Sequence, residues 1–330
     1  MGLPVMQIKR LVIENFKSIE RIELIEPNPF TVFVGPNGSG KSTIFEALEF
    51  VNLNGLFGRD LALSFVRGLD TIRRRQATES SYRMEIQLEH NSVTVDPSLI
   101  TDPRIPTDFL QDSDAVVARD EVNSFLLKFT RLFIGNDSLI KLNFTDDLRL
   151  TISASNLEAV LKRLLNDPIV NEEIHEWLTL FIPGFKKIEV VSGAFDSKDT
   201  LLVYEQTVEK PFTKDLISDG TYNIIALLTA VYQSEEPQFL CIEEPENGLH
   251  PQVLMSLIEF FRTMCAEKGH YIWLNTHSEA VVRKLTTDEL ILVNKVNGTT
   301  QAKQIKGKAI YDIPTDEAWL TGTLGGGLPW

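Results

Sequence analysis

Nine consecutive residues, Gly35-Pro36-Asn37-Gly38-Ser39-Gly40-Lys41-Ser42-Thr43, bring glycines, hydroxyls and one lysine into a single loop. Gly35, Gly40, Lys41 and Ser42 fall at the spacing of a phosphate-binding loop. In such a loop the glycines let backbone N–H groups converge on anionic oxygens at a helix N-terminus, where the dipole also favours negative charge. The chemistry gives Lys41 the β- and γ-phosphates of a nucleoside triphosphate and Ser42 an Mg²⁺ ion. It requires a strand before the loop and a helix after it. The apolar run Phe30 to Val34 precedes the loop, and Ile44, Leu48 and Val51 follow at helical spacing.

A second constellation is the segment Gln238 to Pro251, where the apolar run Phe239 to Ile242 ends in Glu243 and Glu244. Ligands collect at the carboxyl ends of strands in a parallel sheet. Glu243 therefore stands where a metal-holding acid is needed, and Glu244 next to it is placed to polarise an attacking water. Taken alone, the pair is equally compatible with solvated surface acids; the loop upstream favours chemistry. A third signal is Tyr271 to Leu274 followed by Asn275-Thr276-His277-Ser278. His277 directly after a buried strand suits a hydrogen bond to a γ-phosphate or to the attacking water, although a capping or core histidine would look the same. The fourth, Ser218-Asp219-Gly220-Thr221 ahead of an apolar helix, is on its own a helix N-cap.

The elements that must position these residues follow from periodicity. Gln7 to Leu24 alternates apolar and polar residues around Asn15-Phe16-Lys17-Ser18, which predicts two short strands and a turn. Leu157, Val160, Leu161 and Leu164 share one helical face, as do Ile174, Trp177, Leu178 and Phe181, with Asn166-Asp167-Pro168 between them, so a helical hairpin is expected. Two strand-like runs, Lys187 to Val191 and Leu201 to Glu205, flank a turn at Phe195 to Asp199. From Ser218 onward helix and strand alternate: Ile224 to Tyr232, Phe239 to Ile242, Gln252 to Cys265, Tyr271 to Leu274. That alternation implies an α/β fold, with a parallel sheet built from the first and last thirds and interrupted by the middle third. The expected divisions are 1–90, an N-terminal lobe with the phosphate loop; 91–212, an insertion with a loop-rich stretch over 91–125; and 213–330, a C-terminal lobe ending in a Gly-rich tail.

Composition excludes several classes. The chain of 330 residues is 43% hydrophobic and 24% charged, which rules out disordered and fibrous readings. Its net charge of −14 argues against a globally basic nucleic-acid coat, and residues 91–330 carry the whole imbalance. A local basic window remains at residues 59–83, with Arg59, Arg67, Arg73, Arg74, Arg75 and Arg83. The 2 cysteines, Cys241 and Cys265, give neither a disulfide framework nor a zinc site. No apolar run approaches the length of a membrane span and no secretory leader is visible, so a reducing, cytoplasmic setting is expected.

Together, GPNGSGKST, SDGT, the strand ending EEPENGLHP and the strand ending NTHS resemble the Walker A, signature, Walker B with D-loop, and switch histidine of ABC-class ATPases. More narrowly they resemble the SMC, RecF and OLD type, often labelled AAA family ATPases in bacteria, as does the opening IKRLVIENFKSIERIEL. The resemblance implies a P-loop NTPase fold with an ABC-type head, an N-terminal antiparallel β subdomain and a helical insertion. It further implies ATP and Mg²⁺ as cofactors and a homodimer with composite sites. In that arrangement Gly35, Asn37, Gly38, Ser39, Gly40, Lys41, Ser42 and Thr43 hold ATP, and Ser218 and Gly220 contact it from the other subunit. Ser42 and Glu243 support the metal, Glu244 is the base, and Lys41 and His277 complete the catalytic set. Three departures stand out: SDGT replaces SGGQ, Glu243 replaces an aspartate, and His250 occupies a usual D-loop aspartate position. Gln87 is a weak candidate for the Q-loop glutamine.

The stretch from Thr43 to Ser218 lacks heptads and is too short for an SMC coiled coil, and the residues after His277 are too few for the Toprim nuclease of OLD enzymes. The resemblance thus implies a stand-alone ATPase governing a separately encoded nuclease or toxin, as in two-gene anti-phage systems. A RecF-like clamp touching DNA through Arg59, Arg67, Arg73, Arg74 and Arg75 is the alternative, whereas a transporter subunit fits EEPENGLHP poorly. The tail Thr321 to Trp330 either folds back on its own core or inserts into a partner.

Overall fold

The computed structural model describes residues 6–75, 82–90, 93–95, 124–136, 147–193, 199–308 and 313–324. Most of the loop-rich stretch 91–125, the turn at 195–198 and the end of the tail, 325–330, lie outside the described residues. The chain forms two compact units.

The first unit comprises Met1–Arg131, Glu236–Glu243 and Phe261–Trp330. Its strands are β1 (Met6–Phe16), β2 (Ile19–Ile25), β3 (Phe30–Val34), β4 (Arg83–His90), β5 (Val93–Val95), β6 (Phe129–Leu132), β10 (Phe239–Glu243), β11 (Tyr271–Thr276), β12 (Leu290–Val296) and β13 (Thr299–Gln304). They make a 10-stranded sheet in the order β5-β4-β1-β2-β13-β12-β3-β11-β10-β6. The β12-β3-β11-β10 stretch is parallel, whereas β4, β1 and β2 pair antiparallel. Every residue of β3, β10 and β11 is buried. Burial on both faces explains why these strands read as unbroken apolar runs instead of alternating ones. Trp273 anchors the interior, with its ring centroid 4.8 Å from Phe239 and 5.3 Å from Phe33. Helix α1 (Lys41–Phe57) packs Ile44, Phe45, Leu48 and Phe50 inward. The arginine-rich window forms two short helices, α2 (Arg59–Phe65) and α3 (Leu69–Ile72).

One strand differs from expectation. The middle third does more than interrupt the sheet, because β6 from that region adds beside β10, with Phe239 N–H donating to Lys128 O at 3.3 Å. Its apolar residues Phe129 and Leu132 are buried there.

The second unit comprises Leu132–Glu235 and Glu244–Phe260. The predicted helical hairpin is α4 (Leu157–Leu165) and α5 (Pro168–Phe181). Asp167 caps α5 by accepting from the N–H groups of Ile169 and Val170, and Pro168 fills the first turn, where a missing N–H costs nothing. A small antiparallel sheet holds β7 (Phe185–Ser192), β8 (Asp199–Glu205) and β9 (Phe212–Thr213). Helix α6 (Asp219–Tyr232) buries an unbroken row from Ile224 to Tyr232. Trp177 packs edge-on against Phe260 at 4.7 Å and donates its indole N–H to Tyr232 Oη at 3.2 Å. Helix α7 (Pro251–Lys268) starts in the second unit and ends in the first, to which α8 (Glu279–Val282) and α9 (Thr315–Leu320) belong.

Candidate nucleotide site

The register of the parallel strands aligns their carboxyl ends. Val34 pairs with Thr276, and Asn275 pairs with Glu243. The phosphate loop after β3, His277 after β11 and Glu243 at the end of β10 therefore lie along one edge, where an open α/β sheet binds ligands.

Two glycines of the loop have no room for a side chain. A Cβ on Gly35 would lie 1.9 Å from Val293 O. Gly40 has φ 101° and a Cβ there would meet Thr300 Oγ1 at 2.1 Å, so conformation and space both demand glycine. Thr300 in turn donates to Ser39 O at 3.0 Å and shares a 2.7 Å hydrogen bond with Ser18 Oγ. Asn37 and Gly38 are exposed, and the buried Ser39 Oγ has no hydrogen-bond partner among the described residues, an orphan that suits an anionic oxygen. Lys41 Nζ, buried, donates to the carbonyls of Gly35 at 2.7 Å and Pro36 at 3.2 Å. The Thr43 N–H donates to Gly40 O at 3.1 Å in the first turn of α1.

Ser42 Oγ donates to Glu243 Oε2 at 2.5 Å and lies 3.4 Å from Asn275 Nδ2. A hydroxyl and a carboxylate side by side are the hard oxygen donors that Mg²⁺ takes together with phosphate. The other carboxylate oxygen, Glu243 Oε1, accepts from Arg131 Nε at 2.5 Å. Arg131 also donates to Glu49 Oε2 at 2.7 Å. Burial works to lower the Arg131 pKa, but Glu49, Glu243 and Glu46 outweigh it and raise it above the usual guanidinium value. The sequence reading missed Arg131. Its signal was one arginine inside the apolar run Phe129 to Phe133, since a charge there must find a partner. His277 is exposed at the end of β11.

Ser218, Gly220 and Glu244 belong to the second unit. Ser218 N-caps α6, accepting from the Thr221 N–H at 3.1 Å, and is exposed together with Asp219. Gly220 is buried against Gly248, whose φ is 73°. Glu244 is itself left-handed at φ 47°, and its Oε2 accepts from Asn247 Nδ2 at 3.2 Å. Asn223 Nδ2 donates to Asn247 O at 2.7 Å, tying α6 to the same turn. His250 Nδ1 accepts from the Gln252 N–H at 3.3 Å at the start of α7.

Two further expectations concern the first unit. Gln87 lies on β4, five places along the sheet from β3, and gives its amide to Glu85 at 3.1 Å. Among the arginines, Arg59, Arg67 and Arg75 are exposed, whereas Arg74 is taken by Glu20 at 3.0 Å and Thr299 at 2.9 Å.

A family model described as "AAA domain, putative AbiEii toxin, Type IV TA system" matches residues 110–283, more than half of the chain. The chain belongs to this AAA domain family. A second model, described as "AAA domain", matches residues 10–174. This AAA domain chain is 48% identical over 44 residues to the chromosome partition protein Smc of Methanocaldococcus jannaschii, covering 13% of the chain and 4% of that protein. It is 36% identical over 62 residues to the DNA replication and repair protein RecF of Mannheimia succiniciproducens, covering 19% and 17%. It is 48% identical over 44 residues to the OLD nuclease of Thermus scotoductus, covering 13% and 8%. The chain thus spans only a small part of the curated relatives it matches. In fold, it is similar to a solved SMC head bound to the C-winged helix domain of ScpA, with a TM-score of 0.51 and 14% identity over 90% of this chain and 97% of that one. The short matches fall on proteins of the SMC, RecF and OLD type, in keeping with the resemblance carried by the four motifs, and the AAA domain chain shares the α/β fold of the SMC head. Among the described residues, no helix is long and apolar enough to cross a membrane.

Proposed function

We propose that this ATPase binds ATP on Gly35 to Thr43, closes as a homodimer around two nucleotides, and thereby controls a separately encoded effector, a nuclease or toxin, in bacterial anti-phage defence. The observation that carries the reading is the alignment of Lys41, Ser42, Glu243 and His277 along the carboxyl ends of β3, β10 and β11. Lys41 exchanges its contacts with the Gly35 and Pro36 carbonyls for the β- and γ-phosphate oxygens, a stronger charge-assisted set. Asn37, Gly38, Ser39, Gly40 and Thr43 surround the phosphates with N–H and hydroxyl donors. Ser42 and Glu243 would hold Mg²⁺, which when bound neutralises charge on the β- and γ-oxygens. His277 orients toward the γ-phosphate, and Glu244 takes the proton of the attacking water.

Ser218, exposed at the N-terminus of α6, meets the γ-phosphate held by the other protomer, beside Gly220. The effector role is supported by the family description, which names a type IV TA system, and by the SMC head structure, in which the head is bound to the C-winged helix domain of ScpA. A RecF-like clamp is the second reading, favoured by the exposed Arg59, Arg67 and Arg75. The test is Glu244→Gln, which keeps the side-chain shape but loses the base. Hydrolysis should fall about 10²-fold or more, and an ATP-dependent dimer should accumulate on size-exclusion chromatography. No such dimer, with hydrolysis at the wild-type rate, would refute the assignment.

A further inference from the structure

Arg131 and Glu243 form an ion pair that is almost wholly buried, with side-chain exposures of 3% and 2%. The guanidinium gives Nε to Glu243 Oε1 at 2.5 Å, with Nη2 on the same oxygen, and Nη1 to Glu49 Oε2 at 2.7 Å. Nη2 also lies 4.0 Å from Glu46 Oε1, and Glu46 is held by Lys17 at 2.7 Å. A buried pair of this kind contributes little net stability, because desolvating both charges offsets their attraction, and apolar residues of similar volume would pack as well. Its value lies in geometry. Glu49 and Ser42 are seven residues apart, so they occupy one face of α1, two turns from each other. Glu243 Oε2 takes the Ser42 hydroxyl and Glu243 Oε1 takes Arg131, which returns to α1 through Glu49. Ser42, Glu243, Arg131 and Glu49 thus close a ring that fixes both oxygens of one carboxylate against the helix that carries Lys41.

We infer that Arg131 is a positioning residue for the ATPase site: it holds Oε1 of Glu243 so that Oε2 faces Ser42, where these two side chains would hold the metal ion of the nucleotide complex. The inference rests on the proposed role of Glu243. It also accounts for a glutamate where the related motifs carry aspartate. The extra methylene adds a rotatable bond, and the planar fork of Arg131, anchored at its far side by Glu49, removes that freedom. A lysine, a point charge on a flexible stem, cannot span Glu243 and Glu49 together.

The experiment compares wild type, Arg131→Lys, Arg131→Gln and Glu243→Gln in the full chain. Three quantities are read: ATP affinity by calorimetry without divalent ions, Mn²⁺ affinity of the ATP complex by electron paramagnetic resonance, and kcat with Mg²⁺. For Arg131→Lys we expect metal-free ATP affinity within about twofold of wild type, with Mn²⁺ affinity and kcat each lower by about 10-fold or more, the range for outer-shell partners of a metal ligand. Arg131→Gln, which leaves acids buried without a cation, should show the same pattern more strongly; if it does not fold, Arg131→Lys decides. If Arg131→Lys lowers only the melting temperature, with Mn²⁺ affinity and kcat as in wild type, Arg131 is a packing residue and the inference fails. It also fails if metal-free ATP affinity collapses, since the arginine would then be shaping the loop. Glu243→Gln separates the two claims: wild-type Mn²⁺ affinity in that variant overturns the role of Glu243 itself, whereas a loss there without a loss in Arg131→Lys overturns only the role of Arg131.

Discussion

Gly220 and Gly248 approach so closely that a Cβ on Gly220 would lie 2.3 Å from the carbonyl oxygen of Gly248. The contact joins the first turn of α6 to the turn that begins with Glu244. Asn223 reinforces it by donating to Asn247 O, and Asn247 donates to Glu244. The signature segment and the general base assigned to Glu244 are thus two ends of one short hydrogen-bonded piece. Gly220 is required there for packing, whatever it also does for nucleotide.

Gly220→Ala should therefore be costly although it adds only a methyl group. Gly248 has φ 73° and cannot yield without strain, so α6 must shift or the turn must open. The expected loss is about 1–3 kcal/mol, the usual cost of overpacking, read from urea denaturation. Turnover should drop with it, while ATP affinity of the first unit stays near wild type. Wild-type stability together with wild-type turnover would show that the two segments are not coupled through this contact.

The exposed arginines make a separate prediction. If Arg59, Arg67 and Arg75 touch phosphates, changing all three to glutamate should weaken binding to duplex DNA and flatten its salt dependence by about 0.9 in log–log slope per lost contact. Arg74 is a poor choice for this test because Glu20 and Thr299 already hold it. ATP hydrolysis without DNA should persist. An unchanged slope would remove these arginines from any DNA contact.

Tyr271 gives a stability prediction with a defined pH window. Its hydroxyl oxygen accepts from the buried Ile8 N–H at 2.9 Å. Burial pushes the phenol up to about 12, partly opposed by the Ile8 hydrogen bond. An unfolded tyrosine titrates near 10, so the folded state binds the proton more tightly. This contribution is fully present below about pH 10 and is lost as pH rises through about 12. Tyr271→Phe should remove that alkaline loss and cost about 1–2 kcal/mol at neutral pH by leaving the Ile8 N–H unpaired. Urea titrations at neutral and alkaline pH check both signs; equal stability of variant and wild type at neutral pH would contradict the role of the hydrogen bond.

Much of the fold was legible because its signals are local. The loop Gly35 to Thr43 declares the strand before it and the helix after it, and the faces Leu157 to Leu164 and Ile174 to Phe181 declare the helical hairpin. The runs ending at Glu243 and Leu274 read as buried strands because both faces of the parallel sheet are covered. Relationships between distant segments were not legible. Nothing near Thr300 announces that it closes the space above Gly40, and nothing near Arg131 announces that its partners are Glu49 and Glu243. Arg74 looked like one member of a basic cluster, yet it turns toward Glu20 and Thr299. Such contacts depend on which strands become neighbours, and local periodicity does not encode that.

If the residues gathered at the ends of β3, β10 and β11 bind ATP for hydrolysis, both binding and turnover depend on Lys41. Lys41 supplies the positive charge opposite the β- and γ-phosphates within a loop whose other donors are neutral. Calorimetric titration of ATP with Mg²⁺ into wild type and Lys41→Ala, paired with phosphate release, should show binding and turnover in the first and neither in the second. Wild-type affinity and turnover in Lys41→Ala would mean that ATP is not bound and hydrolysed at this loop.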